Sequence, residues 1–138
     1  MLNIYLDIDG VLRGTASPLA DRIEFLEYIL LNYPNTTYWL TTHCRSSKYD
    51  HCEAALKTEF PDELAELACR IIKSTDWNAM KTEVIDMDQD FIWFDDNLFG
   101  NEKRVLEERG VDKNFVWMNP RDPEMAKKAL EKLKNLPK

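Results

Sequence analysis

No apolar run in this chain approaches the ~20 residues that a membrane-spanning helix needs, and none is expected. Positive charge is scarce: Lys and Arg number 18 against 25 Asp and Glu, a formal net charge of -7. A surface of that sign repels polyanions, which argues against a general nucleic-acid or anionic-membrane binder. A local basic pocket remains open, as do phosphorylated small molecules if a divalent cation supplies the attraction. Cysteine is sparse and odd in number, with Cys44, Cys52 and Cys69 alone. Met1-Leu2-Asn3 lacks a basic leader, and Asp7 breaks the first apolar run at once. Reduced thiols and a cytoplasmic location are the expectation. Repeats, low-complexity tracts and linkers are missing too, so residues 1–138 are expected to form one domain.

The chain does contain a steady alternation. At 44% hydrophobic and 31% charged residues it has a globular composition. Short apolar runs at 2–6, 37–40, 70–73, 91–94 and 115–118 have the character of strands covered on both faces. Helical patterns separate them. Ser17-Pro18 predicts an N-cap and first helical position, with Leu19, Ile23, Leu26 and Leu30 on one face and Pro34 ending the helix. Further helices are predicted over 47–60, 61–68, 78–86 and 101–109, the last closed by Gly110, and from Asp122-Pro123 onward. The order implies an α/β three-layer sandwich on a five-stranded, mostly parallel, Rossmann-like sheet. Ligands of such sheets bind beyond the carboxyl ends of the strands.

Polar residues gather at those predicted ends. The first strand runs into Asp7 and Asp9, the second into Thr41-Thr42, and the fourth into Asp95-Asp96-Asn97. Four carboxylates converging there would repel one another without a cation. Oxygen-only ligands favour Mg²⁺. Lys81, just before the fourth strand, adds a positive charge, so the expected site binds a phosphoryl group.

These residues resemble the signatures of the haloacid dehalogenase-like (HAD) superfamily. Asp7-Ile8-Asp9-Gly10-Val11-Leu12 is similar to its DxDG motif, Thr41 to its Ser/Thr at a strand end, Lys81 to its Lys/Arg, and Asp95-Asp96 to its acidic pair. The four lie in the family's order from residue 4 to residue 97. The resemblance implies a Mg²⁺-dependent phosphatase. In that scheme Asp7 is the nucleophile and Asp9 the acid and base, holding a proton through a pKa raised by burial. Thr41 and backbone amides such as that of Gly10 hold phosphoryl oxygens, and Lys81 neutralises charge. Asp7, the Asp9 carbonyl and Asp96 would bind the metal, with Asp95 the second choice. Thr42, Arg13, His43 and Arg45 are candidate groups on the substrate side, and Trp77 could line the mouth. Neither gap between the motifs can hold a large cap domain. An open site suits a bulky phosphorylated substrate or is covered by oligomerisation.

Two other classes compete. A receiver-like phosphoacceptor also uses an Asp, a Thr and a Lys on a parallel sheet, but with the acidic pair first. A HAD-like module that binds phosphate without turnover would carry the same residues. The repeated pair His43-Cys44 and His51-Cys52 invites a zinc reading, but its spacing fits no compact zinc pattern.

Overall fold

The first apolar run forms the centre of the sheet in the computed structural model, which describes residues 1–45 and 50–136. Strand β1 is Leu2–Leu6, β2 Thr37–Trp39, β3 Lys73–Ser74, β4 Asp90–Asp95 and β5 Phe115–Trp117. They lie in the order β3-β2-β1-β4-β5, and every pairing is parallel. Parallel pairing requires crossovers, which contain helices α1 (Leu19–Asn32), α2 (Cys52–Lys57), α3 (Asp62–Ile71) and α4 (Gly100–Glu108) and, between β3 and β4, the 3₁₀ turn Lys81–Val84; helix α5 (Met125–Lys134) follows the last strand.

Period-two alternation gives the central strands two apolar faces. Leu6 is in register with Trp39 and Phe94, and the Phe94 ring meets Phe25 of α1 edge-on at 5.2 Å. Helix α1 packs against α5 on that face. Tyr5 points the other way, stacking on Tyr38 at 5.4 Å and accepting a hydrogen bond at its hydroxyl from the amide of Asp86. The 3₁₀ turn Lys81–Val84 and α4 pack together on this second side. The molecule is thus a three-layer sandwich without a large cap.

Several predicted boundaries move, each for a physical reason. Pro18 flanks α1 rather than starting it, because Ser17 Oγ is committed elsewhere: it donates to the Asp122 carbonyl at 3.3 Å and accepts from Ala126 N at 3.1 Å. The last helix begins only at Met125, since the Asp122 carboxylate turns the chain by accepting from Glu124 N. Arg70 and Ile71 continue α3, leaving β3 just two residues. Within 78–86 only Lys81–Val84 coils, because the Glu83 carboxylate holds the amides of Asn78, Ala79 and Met80 as a loop. The helix predicted over 47–60 is confined to Cys52–Lys57, and its start at Ser47 lies outside the described residues. Gly110 does close α4: at φ 69° it donates to Glu107 O while Val111 N reaches Leu106 O. Among the described residues no helix is long and apolar enough to cross a membrane.

Strand order fixes where a ligand can sit. From β1 the chain moves outward to β2 and β3, then returns to β4 on the opposite side of β1. The crevice at that reversal lies beyond the carboxyl ends of β1, β2 and β4.

Candidate functional site

Asp7 directly follows β1 and is 6% exposed, with its own amide still bonded to Phe94 O of β4. Asp95 ends β4 at 1% exposure, and Asp96 follows, half-buried. Adjacent parallel strands in register bring all three together, each with an oxygen within 4.8 Å of the others. Lys81 Nζ lies 2.6 Å from Asp95 Oδ2 and 3.5 Å from Asp7 Oδ2.

Burial raises the pKa of Asp7, with Lys81 pulling it down less strongly. Burial, reinforced by the charge of Asp7, pushes Asp95 up to about 9. For Lys81, burial works against the charged form, but Asp7 and Asp95 outweigh it and hold the ammonium above its ordinary range. Two desolvated carboxylates facing one ammonium therefore retain a proton near neutrality, favoured on Asp95. A divalent cation would compete with that proton.

The donor set fits such a cation. All three groups offer oxygen, as hard cations prefer. Asp95 is already committed, Oδ2 to Lys81 and Oδ1 to the amide of Asn97 at 3.1 Å. Asp96 faces two adjoining cavities of roughly 300 Å³ each. Room for its carboxylate depends on Gly10, where φ is 77° and a Cβ would collide with it.

Asp9 departs from the expectation of four converging carboxylates. Three converge, and the fourth is turned aside. The chain bends back after Asp9, with Gly10 N donating to Arg13 O at 2.9 Å. Arg13 Nε then reaches Asp9 Oδ1 at 2.5 Å, and His43 Nε2 lies 2.9 Å from Asp9 Oδ2. Burial draws the Asp9 pKa upward, but the hydrogen bonds of Arg13 and His43 outweigh it and hold the carboxyl below its usual range. The expected raised pKa belongs to Asp7 and Asp95 instead. Arg13 is anchored in turn, its Nη1 donating to Ala55 O at 3.1 Å and Thr58 Oγ1 at 3.2 Å.

Thr41 is fully buried at the end of β2, its hydroxyl interacting with the Asp7 carboxyl. It caps a short turn by accepting from His43 N at 3.4 Å. Thr42 and Arg45, rather than Thr41, line the cavity that holds Asp7, Lys81 and Asp96. Trp77 lines it as well and donates its indole N–H to Thr41 O at 2.9 Å.

Glu102 was not among the residues expected here. It is 3% exposed; Oε2 accepts from the amide of Lys81 at 2.9 Å and Oε1 from that of Phe99 at 3.2 Å. One carboxylate therefore caps α4 and fixes the backbone of Lys81. A Glu at the third position of a helix was the available signal. In the His-Cys repeat, His51 N donates to His43 O at 3.0 Å. Among the described residues neither cysteine belongs to a metal-binding group. Compared with protein-family models, curated proteins and solved structures, the chain gives no match.

Proposed function

We propose that this protein is a Mg²⁺-dependent phosphatase of the capless HAD type, forming an aspartyl-phosphate on Asp7. The observation that carries the proposal is the meeting of Asp7, Lys81, Asp95 and Asp96 at the ends of neighbouring strands. A structural ion pair needs one carboxylate for one lysine, whereas a site for a metal and a phosphoryl group uses the pair facing Lys81 together with the third carboxylate of Asp96 beside them.

Asp96 and Asp7, with the Asp9 carbonyl, would hold the cation, and Asp95, which shares the cluster but is closest to Lys81, is the second choice. When bound, Mg²⁺ supplies charge stabilisation for phosphoryl oxygens. Asp7 Oδ attacks phosphorus in line; its O–P bond forms as the ester O–P bond breaks. Lys81 favours the ionised form of the nucleophile, against the pull of burial, and faces the incoming negative charge. Asp95 holds Lys81 in place. Asp9 serves the second step as base, taking a proton from the water that hydrolyses the intermediate. Arg13 and His43 favour the carboxylate form that this step needs. The first step needs Asp9 protonated, so substrate entry must loosen that clamp.

The clamp also favours a second reading: a phosphate-binding module without turnover, in which Asp9 never acts as an acid. Phosphate release from a panel of monoesters, with Mg²⁺ or EDTA, separates the two. The phosphatase reading predicts Mg²⁺-dependent turnover, abolished by Asp7→Asn and impaired by Asp9→Asn. Full activity in Asp7→Asn would overturn it, and no turnover of any ester would favour the binding module.

A further inference from the structure

The cavity beside Asp7 contains a second cation that the proposed chemistry does not use. Arg45 is exposed, yet it is pinned. Its guanidinium carbon lies 4.7 Å from the ring centroid of Trp77, and its Nε donates to Asn78 O at 2.6 Å. Trp77 is itself fixed, 5% exposed with its indole N–H on Thr41 O. An exposed arginine ordinarily loses rotamer entropy when a ligand immobilises it, and these tethers supply much of that order in advance.

The same indole carries Lys81 as well, its Nζ 5.8 Å from the ring centroid. Both cations thus approach one indole and line one cavity, but they differ in charge balance. Lys81 is neutralised by Asp7 and Asp95. Among the described residues, no carboxylate stands within ion-pairing distance of Arg45. Glu83 feels its charge, but the Glu83 oxygens already accept three backbone amides. In a chain of net charge -7, whose field repels anions, a guanidinium in the cavity wall with no carboxylate at ion-pairing distance among the described residues favours the entry of an anion there.

We infer that Arg45, braced by Trp77, is an anion subsite, and that the ligand is a small phosphate ester bearing a second acidic group. The inference rests on the phosphoryl-site reading above. Its phosphoryl group would lie over Asp7 and Lys81, and its carboxylate or second phosphate against the outward edge of Arg45. Planar, bidentate pairing suits either anion.

Non-hydrolysable ligands test this independently of turnover. Calorimetric titration with Mg²⁺ would compare phenylphosphonate, its carboxyphenyl analogues and phenylene bisphosphonate. The expected wild-type preference for at least one doubly anionic ligand is about tenfold. In Arg45→Gln, checked for folding by its thermal midpoint, the preference falls below twofold, and Arg45→Lys is intermediate. The carboxylate and bisphosphonate arms identify which second anion is taken. Equal wild-type affinities, or a preference that survives in Arg45→Gln, would overturn the subsite. Binding of none of the ligands would overturn it together with the phosphoryl site. Preference without hydrolysis of phenyl phosphate supports the subsite and counts against phosphatase activity alone.

Discussion

Asp95 has almost no contact with water, sits beside a second carboxylate, and depends on one lysine for compensation. Its pKa of about 9, against an ordinary 3.8, makes it a liability as pH rises. The folded state binds a proton that the unfolded chain releases, so this group's contribution to stability falls between those two values. Asp95→Asn keeps an acceptor for Lys81 and removes the titration. In EDTA the variant is expected to melt a few °C above wild type near pH 8, on the order of 1–2 kcal/mol. The difference should vanish near pH 4. Melting curves across that range check the sign; a wild-type advantage at pH 8 would contradict it. Asp9 shows how far such chemistry is legible in sequence. Its place after a strand is a local property and can be read. Its pKa is set partly by His43, which lies 34 residues away, so the sequence suggests burial while the fold supplies a clamp.

At the level of elements, the functional groups are held by caps and turns more than by long helices. Glu102 joins the start of α4 to the backbone of Lys81. Asp7, Asp95 and Asp96 were legible because acids following apolar strands are conspicuous. Glu102 was not, because a glutamate near a helix start is ordinary unless a distant amide comes to it. The same holds for Glu83, whose grip on Asn78, Ala79 and Met80 replaces the helix predicted over 78–86. Glu102→Ala leaves the amides of Phe99 and Lys81 without their carboxylate acceptor. We expect a loss of about 1–2 kcal/mol in stability and a fall in turnover greater than in Glu102→Gln, which retains one acceptor oxygen. Chemical denaturation and initial rates on both variants test this. Equal rates in the two would contradict a positioning role for the carboxylate.

Across the whole molecule, alternating strand and helix patterns were enough to predict the parallel sheet, and the sheet reversal at β1 then places the crevice. The short β3 and the exact helix starts depend on tertiary partners and were less legible. An acidic chain with a converging carboxylate cluster carries self-repulsion that a bound cation relieves. Mg²⁺ at about a hundred times its dissociation constant is expected to add ~2.7 kcal/mol to stability. EDTA reverses the gain, and Asp96→Ala should lose most of it. A comparable rise from matched ionic strength in NaCl, or an unchanged response in Asp96→Ala, would show that screening rather than a site is responsible.

A covalent phosphoryl bond to Asp7 is tested most directly by intact-protein mass spectrometry after acid quench during turnover. The expected result is an adduct of one phosphoryl group, lost on hydroxylamine treatment and mapping to the peptide that contains Asp7. It is absent from Asp7→Asn. Turnover without that adduct, or an adduct that persists in Asp7→Asn, would contradict the account.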